Sequence, residues 1–218
     1  NGPSLNDLDL NQLKRPGVMT LSINNGASTL LQKGITPDFW TCVDQPSRFV
    51  KQIWNNPKIQ KFVPIASMDK PLWDNESWKD LGKKVHECPN VLGYRRNDKF
   101  AEHRYFTEYT FNWGNHKDSG GGRTVLLVTW KLLFLLGFRK IYMLGVDLDM
   151  HEDGKYHFDE GRTKSSINGN NSTYARIINE YGPGVQRASE KFGLKIYNCN
   201  PASKLTAFDY ISYEDAIK

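Results

Sequence analysis

The sequence predicts an α/β protein built on an open, mostly parallel sheet flanked by helices. Three observations carry that prediction. Short β-branched or apolar runs alternate with helical segments. The turns after those runs hold Gly, Asn or Asp, and one long apolar segment leads through a glycine into a further apolar run that ends in Asp147. In such sheets ligands sit outside the carboxyl ends of the strands, so those turns are where function is sought.

Each element follows from local signals. The opening Asn1-Gly2-Pro3-Ser4-Leu5 reads as a loop that should follow a strand, so one short strand is expected before Asn1. Residues 18–23 are β-branched-rich and close on Asn24-Asn25-Gly26, a strand and its turn. Residues 27–33 make a short helix stopped by Gly34. Residues 39–43 form a second strand, ending at Asp44-Gln45-Pro46. Ser47 caps a helix over 48–54, which Asn55-Asn56-Pro57 stops. A third strand covers 61–66, and Pro64 within it argues for a sheet edge.

Residues 69–118 interleave aromatic side chains with charges at no sustained period. They read as an irregular insertion or lid on a single domain spanning 1–218. Order returns at Ser119-Gly120-Gly121-Gly122-Arg123-Thr124, followed by a nearly all-apolar stretch over 125–138. That stretch forms a helix ending near Gly137, and 140–144 form the strand before Gly145-Val146-Asp147. With almost no polar face, the helix is expected between the sheet and another layer. A helix over 184–192, a strand over 194–198, and a last strand and helical turn over 208–217 complete the pattern.

Composition bounds the function. Hydrophobic residues make up 39% of the chain, enough for a sizeable core and against disorder. No apolar run reaches the ~18 residues of a membrane span. No basic-then-apolar leader opens the chain, so the expectation is a cytoplasmic protein without a membrane span. Cys42, Cys88 and Cys199 are scattered without CxxC spacing, which excludes a zinc ribbon and points to reduced, buried thiols. The formal charge of +5 suits an anionic ligand such as a nucleotide. No dense Lys/Arg stripe appears, so nucleic-acid binding is permitted rather than indicated.

Several residues could carry chemistry. Gly2 lets the backbone come close to a ligand, Pro3 fixes φ, and Ser4 or Asn1 can bond a phosphate or ribose. Ser119, Gly120 and Gly121 leave amides unobstructed at the start of a helix, and Arg123 adds a charged fork for phosphate. The alternative there is a hinge, since the P-loop spacing is missing. Asp147 and Asp149 follow an apolar strand, whose alternation would put both carboxylates on one side, where they could hold Mg²⁺ or Mn²⁺ against a diphosphate. The alternative is a solvated acidic turn. Asn24, Asn25 and Asp44 stand at strand ends, as ribose or base contacts or as turn residues. No GxSxG elbow and no HExxH pattern is present.

Taken together, Asn1-Gly-Pro-Ser-Leu5, the strand ending in Asn24, the Ser119-Gly120 turn with its apolar helix, the run Gly137 to Asp147 and the block Leu194 to Phe208 resemble a known family. They are similar to bacterial sialyltransferases of glycosyltransferase family 42. They are equally similar to the related domain named after archaeal 6-hydroxymethylpterin diphosphokinase. The resemblance implies a Rossmann-like nucleotide-binding fold with Asn1, Gly2, Ser4, Asn24, Ser119 and Gly120 on the nucleotide. It also implies a tyrosine pair that assists phosphate departure and a histidine base. Here Asp149 lies where the first tyrosine would, Tyr156 could match the second, and the histidine region reads Asn171-Ser-Thr-Tyr-Ala-Arg176 without a histidine.

The functional expectation is a nucleotide-dependent transferase, a glycosyltransferase with a nucleotide-sugar co-substrate and no permanently bound cofactor. Asp147 or Asp149 would serve as metal ligand or general base, and Tyr156 or Arg176 would stabilise the departing diphosphate. The acceptor could be a glycan, a small molecule or a modified DNA base. Two alternatives stand beside it: pyrophosphoryl transfer from ATP, and an inactive nucleotide-binding module. The apolar helix over 125–138 also makes a homo-oligomer conceivable.

Overall fold

A computed structural model describes residues 2–44, 49–73, 80–97, 99–114, 123–150 and 164–218. It is a mixed α/β chain with two parallel sheets, and it divides into two compact units. One comprises Asn11–Asn97 and Tyr109–Phe111; the other comprises Asn1–Leu10, Asp98–Glu108 and Asn112–Lys218.

The first unit holds a four-stranded sheet. Its strands are β1 (Leu21–Ile23), β2 (Phe39–Thr41), β3 (Gln60–Pro64) and, after the hairpin of β4 (Pro71–Trp73) and β5 (Asp80–Lys84), β6 (Val91–Tyr94). They lie in the order β1-β2-β3-β6, all parallel. Helix α1 (Gly26–Gln32) joins β1 to β2, and α2 (Lys51–Asn55) joins β2 to β3. One sheet face packs into a core of Trp40, Cys42, Ile53, Trp54, Ile59 and Val63. Trp40 meets Trp54 edge-on at 5.0 Å and Phe49 at 5.3 Å, the geometry aromatic pairs favour.

Two sequence expectations change here. The unpatterned stretch 69–118 contributes β6 to the parallel sheet. Consequently β3 is an interior strand, and Pro64 does not mark an edge. Lys61 N–H donates toward β6, to Asn90 O at 2.8 Å, so alternation turns the ring nitrogen of Pro64 toward β2. Pairing with β2 has already ended at Thr41↔Phe62, so no ladder bond is lost. The chain leaves the sheet through β7 (Arg96–Asn97) and returns at β8 (Phe111–Asn112), with Phe111 N–H donating to Arg95 O.

The second unit holds α3 (Val125–Leu135), β9 (Lys140–Met143), α4 (Lys164–Arg176), α5 (Gly182–Glu190), β10 (Lys195–Asn198), β11 (Asp209–Tyr210) and α6 (Tyr213–Ala216). Its sheet is parallel in the order β11-β10-β9. The Thr124 side chain accepts from Leu126 N–H and caps α3. Most of α3 is buried, as its apolar sequence requires, but its last turn opens: Leu135 is 54% and Leu136 39% exposed. Arg139 Nη1 donates to Phe134 O, and Trp130 Nε1 approaches Met143 Sδ at 3.2 Å. Those contacts run antiparallel, so Thr124 lies toward the carboxyl end of β9.

A single helical run covers α4, a π-helical turn at Ile177–Tyr181, and α5. The polar α4 carried no amphipathic signal. Gly182 begins α5 because a Cβ there would lie 2.7 Å from Leu205 Cδ1 and 2.9 Å from Ile177 O. All three cysteines are buried and unbridged. Among the described residues, no helix is long and apolar enough to cross a membrane.

Candidate functional site

The carboxyl end of β9 and β10 gathers the best-defined polar cluster, and Asp147 is its centre. Gly2 N–H donates to Gly145 O at 2.8 Å, which draws the amino-terminal segment onto the end of β9. Ser4 N–H then donates to Asp147 Oδ2 at 3.0 Å, and the Ser4 hydroxyl donates to Oδ1. Asn200 Nδ2 donates to the same Oδ1 at 2.7 Å. A Cβ on Gly2 would stand 2.3 Å from Asp147 Oδ2, so glycine is needed there by contact with the carboxylate. The Ser203 hydroxyl donates to Val146 O at 2.6 Å and Lys204 N–H to Asp147 O at 3.2 Å. Three chain segments, 2–5, 145–149 and 200–204, are thereby fastened together.

Strand alternation does not govern Asp147 and Asp149, because β9 ends at Met143 and the chain runs as a loop through both. Leu148 between them takes a left-handed φ of 52°, strained for a bulky residue. The carboxylates consequently have different neighbours. Asp147 receives Ser4 and Asn200, while Asp149 lies 3.4 Å from Lys204 Nζ. Neither stands as an open anionic oxygen pair, and the arrangement does not fit a divalent ion held between them. Among the described residues no group of three or more His, Cys, Asp or Glu gathers for a metal.

Arg123 is the other feature of this sheet end. Its guanidinium stacks over Trp113 at 4.7 Å, and among the described residues it has no hydrogen-bond or ion-pair partner. It immediately precedes the capped amino terminus of α3, where the helix dipole favours an anion. Arg176, by contrast, pairs with Glu180 at 3.0 Å on the helical run. In the same region Asn171 Nδ2 donates to Met150 O at 3.1 Å, holding α4 against the segment after Asp149. Asn1, Ser119, Gly120, Gly121 and Tyr156 lie outside the described residues.

Asn24, Asn25 and Asp44 belong to the four-stranded unit. Asn24 takes φ 49°, its N–H donates to Thr41 O at 3.2 Å, and its carbonyl accepts from Trp40 Nε1 at 2.8 Å. This locks its backbone as a strand-to-helix turn. Its Oδ1 and the Ser28 hydroxyl are buried without a partner among the described residues. Asn25 is exposed and makes no side-chain cap; Asp44 is half-buried.

Sequence reasoning assigned no role to Asn200, Ser203 or Trp113. The first two had a readable signal, since their loop follows the carboxyl end of the strand now seen as β10. Trp113 had none, because its use depends on the return of a distant segment. Compared with family models, with characterised proteins and with solved structures, the chain matches none.

Proposed function

We propose that this chain is a nucleotide-dependent transferase, a glycosyltransferase that takes its sugar from a nucleotide-sugar donor on an open Rossmann-like frame. One observation carries the reading: Arg123, without a hydrogen-bond or ion-pair partner among the described residues, is stacked on Trp113 beside the amino terminus of an eleven-residue helix at the carboxyl end of a parallel sheet. A planar guanidinium and a helix terminus suit a phosphoryl group, and parallel sheets bind ligands at that end.

In this reading the sugar C–O bond to the phosphate breaks while the acceptor oxygen bonds the anomeric carbon. Arg123 and the α3 terminus stabilise the negative charge that develops on the departing phosphate. The Gly2–Ser4–Asp147–Asn200 cluster is a positioning device that fixes the loop beside the donor. Asp149 takes the acceptor proton in this reading.

Thermal-shift measurements with CMP, UDP, ATP and the corresponding nucleotide-sugars, each with and without Mg²⁺, test the proposal. A nucleotide-sugar should stabilise the chain, and Arg123→Gln should abolish that gain. Stabilisation by ATP with Mg²⁺ alone selects the diphosphokinase-like reading. Stabilisation without turnover of any donor selects an inactive binding module.

A further inference from the structure

We propose that the open face of the β9–β10–β11 sheet is a docking surface for single-stranded DNA. Parallel sheets are ordinarily covered on both faces. Here Ile141, Met143, Ile196 and Asn198 face inward and are buried, while Lys140, Tyr142, Lys195 and Tyr197 occupy the other face. Register pairs Lys140 with Lys195 and Tyr142 with Tyr197, so ammoniums neighbour ammoniums and rings neighbour rings. The tyrosine rings stack at 5.4 Å with an interplanar angle of 14°, and Tyr142 is 36% exposed. Both lysines are exposed. Among the described residues neither lysine ammonium nor either tyrosine hydroxyl has a polar partner.

The chemistry of this face selects its occupant. Within β9 and β10 it carries no aliphatic side chain to anchor a protein core or a lipid tail. It offers two cations next to two stacked rings, which complement a chain of phosphates carrying flat bases. A duplex hides its ring faces, so the occupant is single-stranded. Asp209, in register with Tyr197 on β11, is the one anion in the row and sets the side from which phosphates stay away. The inference does not depend on the nucleotide-sugar reading, because no residue of the Arg123 or Asp147 groups takes part.

Fluorescence anisotropy of 5′-labelled dT15 with the intact chain tests it. Binding should saturate at 50 mM salt and weaken with salt along a log–log slope near about −1.4, two phosphates neutralised on a single strand. Tyr142→Ala/Tyr197→Ala should weaken it by at least about five-fold, the lower end of one lost base stack, and Lys140→Gln/Lys195→Gln should weaken it and bring the salt slope toward zero. Lys83→Gln, on the other unit, should leave it unchanged. The lysine substitutions are at exposed positions, so an unaltered melting temperature is expected and keeps the test valid if the tyrosine variant unfolds. Absence of saturable binding, equal binding by the lysine variant, or a hairpin duplex that competes as well as dT15 would overturn the proposal.

Discussion

Gly2 and Asp147 show how a single atom's absence fastens two segments. The carboxylate occupies the space where a side chain at position 2 would begin, at 2.3 Å from an ideal Cβ. Gly2→Ala must therefore push the loop off Ser4 and Asn200, at a cost of about 1–3 kcal/mol, measured by urea unfolding. Nucleotide-induced stabilisation should fall with it. A second residue-scale prediction concerns Lys131, fully buried in α3 with its Nζ donating to Glu108 O at 2.6 Å. Burial lowers its pKa from 10.5 to about 8, partly opposed by Glu108. Between those values the unfolded chain holds a proton that the folded chain has released, so this lysine's unfavourable contribution is relieved as pH rises from 8 to 10.5. The gap corresponds to about 3 kcal/mol. Lys131→Met removes that dependence. Wild-type stability measured relative to the variant should thus climb across that window, whereas the raised thiol pKa of Cys199 acts on both proteins equally.

Lys61 is the parallel case within a strand, its pKa likewise lowered by burial to about 8, an effect the Lys131→Met comparison cancels because both proteins carry it. It is equally buried, but its ammonium donates to Asn56 O, Ile59 O and Pro89 O at 2.7–2.8 Å, so all three protons are used to close the loops around β3. At the scale of elements, two glycines of the long helical run make a paired prediction. Gly182→Ala places a Cβ against Leu205 and the Ile177 carbonyl and should destabilise by about 1–3 kcal/mol. Gly169→Ala, in α4 with nothing within 4 Å, should stabilise by about 0.5–1 kcal/mol through helix propensity. Denaturant midpoints of the two variants should move in opposite directions. For α3, Thr124→Ala removes the cap and should cost about 1 kcal/mol by the same measurement. Strands β1, β2, β3, β9 and β10 and helices α1, α3 and α5 were all legible, most of them as apolar runs bounded by Gly, Pro, Asn or Asp. β6 and α4 were not. Val91-Leu92-Gly93-Tyr94 is too short to show a period, and α4 is polar on every side, so its sequence carries no apolar stripe.

Across the whole molecule, each unit has its own parallel sheet and its own buried aromatic residues, Trp40 and Trp54 in one, Trp130 in the other. The ligand prediction belongs at this scale, because a nucleotide bound only to the folded chain raises its overall stability. At a hundred-fold excess over Kd the gain is about 2.7 kcal/mol. Arg123→Gln should remove most of that gain while leaving the unliganded melting temperature within about a degree, since Arg123 makes no polar contact among the described residues. A variant that kept the full ligand gain would show that the phosphate lies elsewhere.

From the amino-acid order alone come the α/β class, most strand ends and the unbridged cysteines. These follow from local chemistry: φ restrictions, branching at Cβ and the run length of apolar residues. Tertiary structure alone decided that Asp147 is met by Ser4 and Asn200, 143 and 53 residues away in the chain. It also decided that Asp149 turns instead to Lys204, and that Arg123 is left without a polar partner among the described residues. A side chain's hydrogen-bonding capacity is written in its identity, but which donor reaches it first depends on chain segments that only folding brings within 3 Å.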